Sequence, residues 1–188
     1  MDLLIKGRII TFLSIWYVLL VTTSNAQEVS RDFCDKTTLP LPVQSVLQKK
    51  YSDWRILNLN DLKEYQDEKE KQVQRKTCPG IAVGHFQNKL TLSYGLILIS
   101  QRPNISSYQF IVIGPNSKGL YQDHLLEKID YPPNPQIIYT VPPHTFYNFQ
   151  KETSVTSPFE CLQSEEFKHG EAIFCWIAGK FHMEFLEY

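Results

Sequence analysis

Two cysteines, Cys161 and Cys175, stand seven residues either side of position 168, and a polar run from Glu165 to Gly170 lies between them. A hairpin centred on 168 sets them face to face. Facing residues in an antiparallel pair lie about 4.5–5.5 Å apart at Cα, within disulfide reach. The chain has two further cysteines, Cys34 and Cys78. Four cysteines allow three connectivities. The hairpin register selects Cys161–Cys175 and so leaves Cys34–Cys78, which clips the N-terminal segment to the start of the strand-rich region. A metal or catalytic role for these cysteines has no support in the spacing: no Cys-x-x-Cys and no adjacent Cys-His pair occurs.

Paired cysteines belong to an oxidising compartment, and the N-terminus agrees. Lys6 and Arg8 make a positive start, Ile9 to Val21 is apolar apart from Thr11 and Ser14, and Ser24-Asn25-Ala26 puts small residues before Gln27. This is the order of a secretory signal peptide over residues 1–26. The apolar stretch is short of the roughly 20 residues of a membrane span. The expectation is a secreted or periplasmic protein of residues 27–188, one domain, with no membrane span in the mature chain.

Removing residues 1–26 takes away Asp2, Lys6 and Arg8 and leaves 17 basic and 19 acidic residues. That balance lacks the basic face that nucleic acid requires. It is not acidic enough for disorder either, and the abundant Phe, Tyr and Trp are sufficient to fill a core.

Pro40 and Pro42 precede Val43, Val46, Leu47 and Tyr51, whose spacing predicts an amphipathic helix with proline in its first turn. Trp54 to Leu59 alternates and reads as extended. Asp61-x-x-Glu64 opens a second short helix, and Asp67 to Lys76 reads as a solvated helical tail or loop. After Cys78-Pro79-Gly80 the pattern turns to strands. Gly80–Phe86, Leu90–Ser100, Tyr108–Gly114, Ile137–Val141, Val155–Leu162, Ala172–Ile177 and Phe181–Phe185 are rich in Ile, Val, Tyr and Phe and bounded by turn residues. Asn88-Lys89, the run Gly114 to Gly119, and Ala178-Gly179-Lys180 are turn chemistry. Leu120 to Asp130 fits strand or helix. Tyr131 to Pro135 is a loop. Short connections in sequence order favour antiparallel pairing. The expected fold is α+β: an N-terminal helical segment, with Val43, Val46, Leu47 and Trp54 facing inward, packed on a mainly antiparallel sheet of five to seven strands.

No motif names a chemistry. The five histidines, His85, His124, His144, His169 and His182, share no metal-ligand spacing, and no Gly-rich phosphate loop is present, so neither metal nor cofactor is expected. No Gly-x-Ser-x-Gly elbow occurs. His85, in Gly84-His85-Phe86, shares a strand face with Ile81 and Val83. It reads as a half-buried structural histidine, or as the acid–base group of a secreted hydrolase if it faces a concave pocket beside a carboxylate. Asn104-Ile105-Ser106 is a glycosylation triplet.

The stretch Tyr139 to Phe149 contains Pro142-Pro143-His144-Thr145-Phe146-Tyr147. Its aromatics either fold back to cap the sheet or stand out as a protein-recognition surface. On the second reading Tyr139, His144, Phe146 and Tyr147 are the binding residues, and the partner is another extracellular or periplasmic protein. With no catalytic motif, the function expected is that of an exported, disulfide-bonded binding or inhibitor-like protein.

The layout resembles an uncharacterised group of small exported, mostly bacterial proteins. The likeness rests on Leu41-Pro42 before a helix closed by Trp54, on Cys78-Pro79-Gly80-Ile81-Ala82-Val83-Gly84-His85-Phe86 before the apolar strand Tyr94 to Ile99, and on the aromatic hairpin Phe174 to Phe181. It covers most of the mature chain and implies an α+β sheet domain and export. It implies no activity and transfers no functional residue.

Overall fold

The strand Ser93–Ser100 decides the architecture, because it is buried on both of its faces over Ser93–Leu98. A strand apolar on two faces needs two covering layers. In the computed structural model, which describes residues 33–104, 107–130, 136–148, 153–167 and 170–186, both layers are present. The leader over residues 1–26, Ile105 and Ser106 of the glycosylation triplet, the loop 131–135 and His169 lie outside the described residues.

The first sheet contains β1 (Trp54–Ile56), β2 (Ile81–Gly84), β3 (Ser93–Ser100), β4 (Tyr108–Pro115) and β5 (Tyr121–Ile129). Its order is β1-β3-β4-β5, with β2 pairing along the other half of the same β3 edge, all antiparallel. The second sheet contains β6 (Gln136–Val141), β9 (Cys161–Glu166), β10 (Gly170–Ile177) and β11 (Lys180–Leu186), in the order β11-β10-β9-β6. A small third sheet pairs β7 (Thr145–Asn148) with β8 (Thr153–Thr156).

On one face of the first sheet lies the helix α1 (Leu41–Lys50). Its buried Val43 and Leu47 meet Leu96, Leu98, Ile111 and Ile113, with Val46 and Trp54 at the margin. Burying each such side chain contributes about 1.5–3 kcal/mol. Lys50 and Tyr51 then hold Asp123 of β5 at 2.5 and 2.7 Å. On the opposite face Ile97, Phe110 and Val112 meet Ile138, Leu162, Ala172 and Phe174 of the second sheet. The Phe110 and Phe174 rings meet edge to face, 4.9 Å apart.

The α+β expectation of one helix-covered sheet of five to seven strands is therefore corrected to a mainly β protein, 47% strand and 19% helical. The helical segment covers only one side. The other is covered by a second sheet, which the alternation of each strand alone does not reveal. Other elements shift for local reasons. Val155–Leu162, read as one strand, breaks at Ser157-Pro158 into β8 and β9, since proline lacks the ladder N–H. Leu120–Asp130 resolves as the strand β5. The charged run becomes the helix α2 (Gln66–Arg75).

All four cysteines are paired as Cys34–Cys78 and Cys161–Cys175. The β9–β10 register, with Leu162 opposite Phe174, is the one centred on 168. Its Cys161–Cys175 bridge spans 4.6 Å at Cα. Among the described residues no helix is long and apolar enough to cross a membrane.

Candidate functional site

The two sheets are joined along one side by hydrogen bonds to backbone carbonyls. Ile138 N–H donates to Pro79 O at 2.9 Å, and Thr140 Oγ1 donates to Val83 O at 2.9 Å. On the far side, where β5 and β11 are the sheet edges, rings make the contact. His124 of β5 meets Trp176 of β10 edge-on at 5.0 Å and Phe181 of β11 at 5.9 Å.

Local sequence explains each member. Ala178-Gly179 is a two-residue turn with both φ values positive, 49° and 86°. That geometry suits a tight hairpin and sets Trp176 opposite Phe181. Their rings cross at 71°, 5.0 Å apart. On β5, His124 pairs with Val112, whose side chain faces the second sheet, and Gln122 lies two residues earlier on the same face. The preceding turn is tied by Asn116, whose Oδ1 accepts from Lys118 N and Leu120 N. Gln87 arrives from the loop after β2. Its path crosses Gly114, where a Cβ would lie 1.9 Å from Gln87 Oε1 and 2.5 Å from Ser93 Oγ, so a larger residue there would push the amide from this position.

These three turns and Trp176 border an open cleft of about 420 Å3. Its lining carries the amides of Gln87, Asn88, Asn116 and Gln122, together with His124, and, among the described residues, no carboxylate, lysine or arginine. Gln87 Nε2 lies 2.9 Å and Gln122 Nε2 3.3 Å from His124 Nε2. Both amide nitrogens lie within reach of Nε2, where a neutral imidazole carrying its proton on Nδ1 has one lone pair for them to share. Burial holds the His124 pKa below its ordinary value, against an opposing pull from Asp123. Asp123 itself sits on the other face of β5. Burial there would raise its pKa, but the hydrogen bonds from Lys50 and Tyr51 outweigh it and keep the carboxylate ionised. The arrangement offers donors, acceptors and one aromatic wall. Among the described residues it offers no nucleophile paired with a base.

The residues singled out in the sequence lie elsewhere. His144 Nε2 is 2.6 Å from Glu184 Oε2, and its ring is edge-on to Phe146 at 5.1 Å. Phe146 packs on the cluster around Cys161 and Cys175. Tyr147, next along β7, is 47% exposed. Tyr139 packs against Leu62, Ile137 and Phe167 and lines a second cavity of about 530 Å3 between α2, β2 and β6. The structure thus brings His144 and Phe146 together, turns Tyr147 outward, and leaves Tyr139 in a separate cluster. His85 does stand beside a carboxylate: its ring is 3.3 Å from Glu160 Oε2. The same oxygen accepts from His85 N at 2.6 Å, a contact that fixes the loop backbone. The ring is 43% exposed and lines neither cavity. Among the described residues no three His, Cys, Asp or Glu side chains gather as a metal site requires.

Sequence reasoning missed Gln87, Gln122, His124 and Trp176. The one available signal was the alternation of Gln122 and His124 on a single strand face. No family model, curated protein or solved structure matches this chain.

Proposed function

We propose that this chain is an exported, disulfide-clamped binding protein that holds a small uncharged ligand in the cleft between Gln87, Gln122, His124 and Trp176. The two disulfides suit an oxidising compartment. The observation that carries the reading is the cleft's chemistry: a concave site lined by neutral polar groups around one aromatic wall. A charged ligand would find no counter-charge there, and burying it unpaired is costly.

The test uses the oxidised, secreted chain labelled with 15N. It is titrated with pools of uncharged disaccharides, N-acetylated dipeptide amides and nucleosides. At least one pool should shift the Trp176 indole N–H and the Gln87 and Gln122 side-chain amides while leaving the Trp54 indole still. If no pool moves Trp176, or Trp54 moves equally, the cleft is not the binding site and the reading falls.

A further inference from the structure

We infer that the ligand is a neutral saccharide, seated with an apolar C–H face against Trp176 and its hydroxyl rim on the glutamine amides. This rests on the binding reading above and narrows it to a chemical class.

Three features of the cleft select a sugar. The first is the absence of charge in its lining, which disfavours phosphorylated or carboxylated ligands. The second is the single aromatic wall. Trp176 is half-buried, and the rings of His124 and Phe181 cross it at 73° and 71°. Among the described residues no second ring runs parallel to it, and none forms a slot that would sandwich a flat base. A pyranose needs only one aromatic face, because its axial C–H groups make its ring faces apolar and its equatorial hydroxyls point outward around the rim. The third is the donor set. Gln87 and Gln122 each spend one N–H on His124 and keep the other. Their carbonyl oxygens each accept one bond already, Gln87 Oε1 from Ser93 Oγ at 3.3 Å and Gln122 Oε1 from Asn116 Nδ2 at 3.4 Å, and each oxygen keeps a second lone pair, so each amide is able to donate to one hydroxyl and accept from its neighbour. Adjacent hydroxyls on one ring match that fork.

The surrounding structure holds this set in place. His124 Nε2 lies within hydrogen-bond distance of both amide nitrogens, 2.9 Å from Gln87 and 3.3 Å from Gln122, so the ring gathers the two amides at one point before a ligand arrives. Gly114 gives Gln87 its path, and the Ala178-Gly179 turn fixes Trp176. Preorganised donors lower the ordering cost of binding. A cleft of about 420 Å3 accommodates one or two sugar rings.

The experiment separates the classes. The oxidised chain is titrated with cellobiose, maltose, lactose and chitobiose, and in parallel with N-acetylated dipeptide amides and with nucleosides, following the Trp176 indole N–H. At least one disaccharide should bind through Trp176, and neither other class should. Trp176→Ala should weaken that binding about tenfold or more. Because this variant also strips a neighbour from Phe181, Gln122→Ala is measured beside it. It alters an exposed side chain and should weaken binding about fivefold with an unchanged unfolding midpoint. Binding of dipeptide amides or nucleosides, but of no disaccharide, overturns the saccharide assignment and leaves the cleft reading standing. Disaccharide binding that both variants leave intact overturns the assignment as well. No binding by any class removes both.

Discussion

Gly95 and Leu162 report most directly on the two-sheet architecture. Leu162, on β9, is fully buried, and its tip presses on β3. A Cβ added at Gly95 would lie 2.7 and 2.8 Å from the two Leu162 methyl carbons. Gly95 therefore has a bare Cα because the other sheet fills the space above it, not because its backbone needs positive φ; Gly119, Gly170 and Gly179 are the glycines that do. Leu162→Ala removes the buried isobutyl group and should cost about 3–4 kcal/mol. Gly95→Ala overpacks the contact at about 1–3 kcal/mol and recovers about 0.4–1 kcal/mol from a stiffer unfolded chain. In the double variant the clash is gone and the new methyl occupies part of the gap. The pair should cost about 2 kcal/mol less than the single costs added together. Urea unfolding of the oxidised chain, with equal m values across the four proteins, is the assay. Single effects that add within about 0.5 kcal/mol would show that the residues do not meet, and would refute the face-to-face packing of the sheets.

Two other perturbations have a defined sign. Cys34–Cys78 closes a separation of 44 residues and Cys161–Cys175 one of 14. On the loop-entropy account, replacing the first pair with alanine should cost about 4 kcal/mol and the second about 3 kcal/mol. The reverse order in denaturant midpoints would refute that account for this chain. His124 titrates below its ordinary value of 6.5 in the folded state, chiefly through burial. Its contribution to stability is complete above 6.5 and is lost as pH falls from there toward the lower folded value. Wild type should lose more stability than His124→Asn between about pH 7 and about pH 5. Parallel curves for the two proteins would show that His124 is not kept neutral by the fold.

Much of the chain was legible locally. The proline-led spacing of Val43, Val46 and Leu47 locates α1, and the symmetry of Cys161 and Cys175 about 168 fixes the β9–β10 register. These signals are short in range and governed by period and turn geometry. The second sheet was not legible, because which layer covers a strand is set by tertiary partners. Ile97 and Leu98 look equivalent in sequence, yet one faces a sheet and the other a helix. The candidate site escaped for the same reason. Gln87, Asn88 and Asn116 read as turn formers, which they are, and Trp176 as a hairpin aromatic. Only the convergence of three turns distant in sequence makes them a lining. The proline-rich run drew notice because exposure of its aromatics is a matter of sequence neighbourhood. The strand alternation of β7 then turned Phe146 inward.

The two bridges do not interleave along the chain. Cys34 and Cys78 both precede Cys161 and Cys175, and the first bridge lies in the core under α1 while the second lies on the outer face of the second sheet. In a chain threading N-terminus first into an oxidising space, each cysteine therefore meets its native mate as the next one to emerge. Oxidation in order of arrival gives the correct pairing, with no shuffling step required. The strands of the first sheet, residues 54–129, have also emerged before those of the second begin at residue 136. A chain emerging in that order has all the strands of the first sheet, and α1 tethered by the Cys34–Cys78 bridge, in place before any strand of the second sheet is available to cover its other side.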